Sequence, residues 1–141
     1  RNNFSGSQMQ EQKLKKLKVQ SPDDRLLDKV MKVINDNLGN PDLNVEMIAT
    51  EVGISRVHLH RKLKELTNQS PRDLIRNVRL KQAASLLANQ YHNITEVATL
   101  TGFTNIAYFS TAFKELYGVP PTTYMEEQQK SSSSDEIEQQ N

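Results

Sequence analysis

The chain has 141 residues, of which 35% are hydrophobic and 25% charged, and it contains neither Cys nor Trp. This length suits one compact domain or two very small ones that share a core, and the lack of cysteine excludes disulfide scaffolds, thiol nucleophiles and cysteine-ligated zinc. No apolar run approaches the roughly 20 residues of a membrane span, and no signal peptide opens the chain. Because the chain begins with Arg1, we expect a piece of a longer protein. We expect it in the cytoplasm, either free or at the cytoplasmic end of a membrane-anchored sensor.

The net charge of +1 is unevenly distributed along the chain. Residues 56–81 carry eight basic residues against two acidic ones, Glu65 and Asp73, which gives this stretch a charge of +6. Such a local positive field suits a polyanionic partner. The alternative is a helix face that is merely solvated, and composition leaves both interpretations open.

Both ends of the chain are predicted to lie outside the folded unit. Residues 1–20 and 128–141 are strongly polar, so neither buries enough apolar surface to offset the entropy of ordering it. We therefore predict a flexible linker over 1–20, a folded domain over 21–127 and a disordered tail over 128–141.

Helix signals dominate the folded unit, and its predicted fold class is all-α. Residues 21–24 (Ser-Pro-Asp-Asp) give an N-cap, a proline at the first helical position and an acid at the third, before apolar residues spaced three or four apart as far as Leu38. Residues 70–73 repeat this start and open a long helix to about Asn89, and residues 93–96 form a further capping box. No alternating strand pattern is flanked by hairpin turn residues.

An internal duplication carries the functional argument. Residues 48–55 recur as 97–104 at an offset of 49, and residues 63–66 recur as 113–116 at an offset of 50, so one residue is inserted early in the later helix of the second copy. Each copy places Ala four residues before Gly, which permits a left-handed turn. Ser55 or Thr104 then caps a second helix. This is the helix-turn-helix pattern, in which the second helix can lie in a DNA major groove.

The second helix of the first copy spans 55–67 and has two distinct faces. Its buried stripe is predicted to be Leu59, Leu63 and Leu66. The opposite, outward face carries Val57, Arg61 and Lys64, with His60 on one flank and His58 on the other. Arg61 has the fork geometry for the O6 and N7 atoms of guanine, and Val57 suits a thymine methyl. The His60 imidazole can donate to a base or a phosphate. The alternative treats these cations as ordinary surface charges, but an exposed valine gains nothing from solvent.

The second helix of the second copy spans 104–117 and offers weaker recognition chemistry. Its predicted buried residues are Phe109, Ala112, Phe113 and Leu116, and its outward face is Ala107, Ser110, Thr111 and Lys114, with Tyr108 at the edge. Short uncharged side chains cannot make a bidentate pair with guanine, so we expect the first copy to read sequence more strongly. Phe103, like Phe109 and Phe113, is expected to be core rather than base-stacking.

Three arginines fall on one stripe of the long helix, at 72, 76 and 79. Arg72 and Arg76 are placed to meet phosphates between the two copies. The alternative is pairing with acids such as Glu51 or Glu96, which we favour for Arg79.

Metal and catalytic sites are not indicated, and no cofactor is expected. His58 and His60 diverge by about 200° on a helix and cannot chelate one ion. No serine has a base partner set by spacing, and no glycine-rich phosphate loop is present, so an enzymatic site is not predicted.

The second copy resembles the C-terminal signature of the AraC/XylS family of bacterial transcription regulators. The residues concerned are Gly102-Phe103, Tyr108-Phe109-Ser110, Phe113-Lys114 and Gly118-Val119-Pro120-Pro121 through Tyr124, with Ile48-Ala49, Gly53-Ile54-Ser55 and Arg79-Leu80 to Ala83-Ala84 fitting the same family. The resemblance spans about 24–126. It implies a seven-helix domain in which two helix-turn-helix units, joined by a long linker helix, enter successive major-groove segments about 34 Å apart.

This resemblance also implies roles for individual residues. The base-contacting positions fall on Val57, His60, Arg61, Ala107, Tyr108 and Thr111. The expected DNA backbone contacts are Arg56, Lys64, Arg72, Arg76, Thr104, Asn105 and Lys114. Many relatives have Arg at the position of Thr111, so the resemblance also implies weaker base readout by the second unit.

Residues 58–63 further resemble the output domain of hybrid two-component regulators, in which a histidine kinase and a receiver precede this domain. This implies transcription activation within a phosphorelay, RNA polymerase as a partner and dimerisation through upstream domains. The present chain is then expected to be monomeric, to bind double-stranded DNA and to make no membrane contact.

Two other functions fit the sequence less well. A helical protein-docking module would use the exposed Val57 and Tyr108 for a partner helix. Binding to structured RNA is disfavoured because the narrow A-form major groove excludes these helices.

Overall fold

The computed structural model describes residues 20–89 and 92–140. The predicted linker over 1–20 therefore lies outside the described residues except for Gln20. The described part forms seven α-helices and no strand, which confirms the all-α prediction. In chain order the helices are α1 (Pro22–Asp36), α2 (Val45–Val52), α3 (Arg56–Thr67), α4 (Pro71–Ala88), α5 (Ile94–Leu100), α6 (Ile106–Tyr117) and α7 (Pro121–Gln140).

The predicted start signals act as helix caps. The Ser21 hydroxyl accepts from the Asp24 N–H at 3.1 Å, and the Asp24 carboxylate accepts from the Ser21 N–H at 3.2 Å, which completes a capping box for α1. Ser70 caps α4 in the same position relative to Pro71. Asn93 caps α5 through the Glu96 N–H at 2.8 Å. Each cap satisfies a backbone donor that the helix itself leaves without a partner.

Two hydrophobic cores share the long helix α4. The first core joins α1, α2 and α3 to the N-terminal half of α4, and the second joins the C-terminal half of α4 to α5, α6 and α7. Leu74, Ile75 and Val78 face the first core, whereas Leu80 begins the set that faces the second. The fold is therefore two three-helix groups held on one connecting helix.

Both helix-turn-helix units have the predicted left-handed glycine at the turn. Gly53 has φ 78° and Gly102 has φ 87°, a region that side-chain-bearing residues rarely adopt. The N–H groups of Ile54 and Phe103 donate to the carbonyls of Ala49 and Ala98, at 3.1 and 2.9 Å respectively. The duplicated sequence thus folds into a duplicated turn.

The cap of α6 is not the predicted one. Asn105, not Thr104, accepts from the Tyr108 N–H, at 3.0 Å, and α6 begins at Ile106. Ser55 caps α3 in the same way through His58, so the two caps are 50 residues apart. The inserted residue therefore lies in the turn between Gly102 and Asn105, before the helix rather than within it.

Two predicted core leucines are less buried than expected. Leu116 is 45% exposed, and Leu66 is only partly buried. Both lie near the C-terminal end of their helices, beyond the packed stripes of Leu59 and Leu63 in α3 and of Phe109 and Phe113 in α6, all fully buried. Phe103 is also buried, so the prediction that the three phenylalanines belong to the core is confirmed.

The last helix extends into the predicted tail. Residues 128–140 continue α7 to Gln140, where composition predicts disorder. Glutamate, glutamine and lysine have high helix propensity, so a helix already packed at its start can continue without an apolar face. Among the α7 side chains that the structure describes, up to Ser131, Tyr124 and Met125 pack against the second core as partly buried apolar groups.

Candidate nucleic-acid interface

The outward face of α3 combines exposed apolar and cationic side chains. Val57 is 79% exposed, the highest value among the large exposed hydrophobic side chains of the described residues. His60 and Arg61 are also exposed, and with Arg56 they line one shallow surface depression. These three side chains suit base edges in a major groove: valine can make apolar contacts, the imidazole can donate a hydrogen bond, and the guanidinium can form a bidentate pair.

Ion pairs lie on the flanks of this face rather than across it. Arg56 pairs with Glu46 of α2 at 3.6 Å, but both side chains are about 70% exposed, so water screens the attraction and the pair is easily exchanged. Lys62 pairs with Asp23 of α1 at 3.2 Å. Arg61 has no carboxylate partner among the residues that the structure describes, and its guanidinium is available to an incoming ligand.

The corresponding face of α6 is exposed but chemically poorer. Ala107, Thr111 and Lys114 are exposed, and Tyr108 is 48% exposed. The Thr111 hydroxyl donates to the Ala107 carbonyl within the helix at 3.0 Å, so it keeps only acceptor capacity for a ligand. This supports the expectation of weaker base readout by the second unit.

A cleft of about 460 Å³ lies between the two units. Its walls come from the start of α2, from one face of α4 and from the turn and first residues of α6, and the polar lining residues are Asn44, Arg72, Arg76, Arg79, Thr104, Asn105 and Tyr108. Five predicted DNA-contacting residues thus share one concave surface. Arg76 is partly buried and pairs with Asp73 at 3.6 Å, whereas Arg72 is exposed.

Twelve of the thirteen predicted DNA-contacting residues are exposed, and Arg76 is partly buried. Nine of them form two groups, four at the α3 depression and five in the cleft, whereas Lys64, Ala107, Thr111 and Lys114 line neither. Their contact with DNA stays a prediction.

The predicted acid partner of Arg79 is wrong. Its Nη2 donates to the backbone carbonyl of Asn40 at 2.7 Å, and none of the described ion pairs includes Arg79. Burial lowers the pKa of the Arg79 guanidinium because a low-dielectric surrounding disfavours the charged form. The stripe on the helical wheel places Arg79 correctly on the cleft side but gives no information about which distant segment meets it.

Asn44 is a cleft residue that the sequence analysis does not identify. Its side chain caps α2 by accepting from the Met47 N–H at 2.9 Å, and it also lines the cleft. An Asn directly before an apolar-periodic run is a recognisable cap signal, so the sequence contains the information for this assignment. A capped helix N-terminus also presents backbone donors to an anion.

Other kinds of site are not found in the described part of the chain. Within 20–89 and 92–140 no group of three or more His, Asp or Glu residues is arranged to hold a metal ion. No described helix combines the length and apolarity needed to cross a bilayer.

Comparison with known proteins gives one consistent result. The helix-turn-helix domain family matches residues 48–127. The C-terminal domain of AraT, a response regulator from Geobacillus stearothermophilus, is 32% identical over 75% of this chain and 85% of that chain, with a TM-score of 0.67. A DNA-binding transcriptional dual regulator from Escherichia coli K-12 is 30% identical over 72% of this chain and 90% of that chain, also with a TM-score of 0.67.

A third similar structure includes nucleic acid. The DNA-binding domain of AdpA, a global transcriptional factor in complex with a target DNA, is 26% identical over 71% of this chain and 88% of that chain, with a TM-score of 0.64. No curated protein sequence matches the chain significantly. The duplicated turns, the exposed second helices and these similarities agree, and the chain belongs to the AraC family of helix-turn-helix domains, which bind DNA in transcription regulation.

Proposed function

We propose that this domain reads a bipartite sequence in double-stranded DNA, with α3 on one half-site and α6 on the other. The observation that carries the proposal is the repeated geometry: each unit has a glycine turn, a side-chain cap and an exposed outward face on its second helix. In helix-turn-helix proteins this second helix enters the major groove.

The residues divide by chemistry into base contacts and backbone contacts. Val57, His60 and Arg61 read the first half-site, and Ala107, Tyr108 and Thr111 contact the second. The phosphate contacts come from Arg56, Lys64, Arg72, Arg76, Thr104, Asn105 and Lys114, which provide cations, side-chain polar groups and the N-terminus of α6. Phosphate contacts fix the register of the domain, and base contacts give the sequence preference.

We further propose that the domain is the output unit of a phosphorelay protein that activates transcription, with residues 21–127 as its DNA-binding part. The similarity to the C-terminal domain of a response regulator supports this role. Phosphorylation of an upstream receiver would then promote dimerisation on adjacent sites, and RNA polymerase would be the partner recruited in the cytoplasm. The chain itself is proposed to be monomeric.

Selection of bound duplexes from a random pool tests the proposal. We expect two conserved blocks, centred about one helical turn or 10–10.5 base pairs apart, with stronger information content in the block read by α3. Duplex RNA of the selected sequence serves as the control competitor, and we expect it not to displace the DNA because an A-form major groove does not admit a helix. A single block, or equal competition by duplex RNA, would contradict the proposal.

A further inference from the structure

Three segments of the chain meet around the guanidinium of Arg79. Arg79 lies in α4 between Val78, which packs in the first core, and Leu80, which packs in the second. Its Nη2 donates to the Asn40 carbonyl in the loop between α1 and α2. Gly102, in the turn between α5 and α6, lies against the same guanidinium: a Cβ at Gly102 would stand 2.9 Å from the Arg79 Nε.

The two loops also approach each other directly. A Cβ at Gly102 would overlap the backbone carbonyl oxygen of Leu38, and a Cβ at Gly39 would stand 3.2 Å from the carbonyl oxygen of Leu100. The loop of the first unit and the turn of the second are therefore in backbone contact beside Arg79. Apart from α4 itself, this is a second physical connection between the two units.

Stability alone does not account for an arginine at this position. The described residues provide no carboxylate for it, its Nε is buried without a hydrogen-bond partner, and burial lowers its pKa. Arg79 is only partly buried, but a partly desolvated charge with incomplete hydrogen bonding still costs free energy. A planar guanidinium does, however, fix the direction of the groups it contacts more strictly than an apolar side chain does.

We propose that Arg79 is a positioning residue that sets the orientation of the two helix-turn-helix units, and thereby the spacing between half-sites that the domain accepts. The inference rests on the proposed bipartite binding. The loop at Asn40 leads into α2, the first helix of the unit that carries α3, and the turn at Gly102 leads into α6. Displacement of either segment therefore moves one helix-turn-helix unit relative to α4.

Binding to duplexes of altered spacing tests this role. The selected site is compared with versions that are one base pair shorter and one longer, each of which rotates one half-site by about 35° around the DNA axis. For the unaltered domain we expect affinity to fall by about tenfold or more on the altered duplexes, because one unit then loses its contacts. In Arg79→Met we expect the fall to shrink to about threefold or less, with unchanged base preference inside each half-site.

Two further variants separate positioning from general destabilisation. Gly102→Ala introduces the overlap with Leu38 and Arg79, and we expect a reduced or shifted spacing preference. Gly118→Ala is the matched control, since Gly118 has a similar φ of 81° but open space around its Cβ position. Gly118→Ala therefore introduces the same backbone strain as Gly102→Ala but no steric overlap, and we expect this control to keep the spacing preference of the unaltered domain. Arg79→Lys keeps a cationic donor and is expected to recover part of the preference.

The outcomes are distinct. All variants are measured at a temperature at which circular dichroism shows them folded, and if Arg79→Met does not fold, Gly102→Ala alone decides. An unaltered spacing preference in the folded Arg79→Met and Gly102→Ala proteins overturns this inference and leaves the proposed function intact. A selected site with a single half-site overturns both.

Discussion

Arg61 and Thr111 occupy equivalent positions in the two units, six residues after the caps Ser55 and Asn105. They differ in the hydrogen-bonding groups that each side chain has available for DNA. The Thr111 hydroxyl donates to the Ala107 carbonyl of its own helix, whereas the exposed Arg61 guanidinium has no carboxylate partner in the described residues. The two recognition helices thus share one backbone geometry and differ in binding capacity through single side chains.

Arg61→Ala should weaken binding to the selected site by about 1–3 kcal/mol and relax preference at one base position, because a bidentate contact to guanine is lost. Affinities for all four bases at each position measure this. Lys64→Ala is the control, with an expected uniform loss on all sequences. If Arg61→Ala also weakens every sequence equally, Arg61 contacts phosphate instead.

Arg72→Ala should reduce the salt dependence of binding. Each phosphate neutralised by a cation releases condensed counterions, so the loss of one such contact lowers the slope of log K against log salt by about 1. Lys81→Ala is the matched control: Lys81 is exposed on the same helix, about 180° around it from Arg72, and does not line the cleft. Equal slopes for both variants would remove Arg72 from the interface.

At the level of single elements, the caps determine where the recognition helices begin. Asn105→Ala should lower the free energy of unfolding by about 1 kcal/mol, because the Tyr108 N–H loses its side-chain acceptor. Thr104→Ala, one residue earlier and exposed, should change it by less than about 0.5 kcal/mol. Urea unfolding of both variants measures the difference, and the reverse order would assign the cap to Thr104.

The contact between α6 and α7 predicts an alkaline loss of stability. Burial, together with the neighbouring Tyr124, raises the pKa of Tyr117, so the folded state favours the neutral phenol. The resulting contribution to the free energy of unfolding is complete below the ordinary tyrosine pKa of about 10. It is lost as the pH rises through the raised pKa of Tyr117 in the folded protein.

Tyr117→Phe removes this ionisation. The free energy of unfolding should therefore decline less steeply above about pH 10 than in the unaltered protein. Urea unfolding at a series of pH values measures the slope, with Tyr108→Phe on the exposed face of α6 as control. Identical slopes for the two variants would refute the assignment to Tyr117.

Local signals allowed the sequence to predict most of these elements. The Ser21, Ser70 and Asn93 caps were predictable because a cap depends on side-chain and backbone groups only three residues apart. The cap of α6 was not predicted correctly, because the offset of the repeat changes from 49 to 50 within the turn itself, and Thr104 has the same capping chemistry as Asn105. Exposure of the α3 face was predictable from helical periodicity.

At the scale of the whole molecule, α7 stabilises the fold through the residues near its N-terminal end. Tyr124 and Met125 pack against the second core, whereas Glu126, Glu127, Gln129, Lys130 and Ser131 are exposed. A chain that ends at Lys130 should therefore keep its Tm within about 2 °C, and a chain that ends at Thr123 should lose roughly 5 °C or more. Thermal unfolding measures both, and a large loss in the longer chain would show that the final residues stabilise the fold.

Long-range contacts limited what the sequence could predict. The seven helices and the twin units follow from local patterns and family resemblance, but the partner of Arg79 does not. Asn40 and Gly102 are 39 residues before and 23 residues after Arg79, and both are met through backbone atoms, which leave no signature in side-chain chemistry. The cleft, and the position of Asn44 in its lining, likewise depend on how the two cores are joined and could not be predicted from local patterns.

The sharing of α4 has a consequence for how this architecture can vary. Leu74, Ile75 and Val78 face one core, and Leu80, Ala83, Ala84 and Leu87 face the other, from sides of the helix that differ by about 180° at 100° per residue. Inserting or deleting one residue beside Arg79 would swing one half of the protein by about 100° about the helix axis. The turns of the two units can therefore differ in length by one residue, as they do here, whereas a change in the residue count of α4 would misplace one of the two cores.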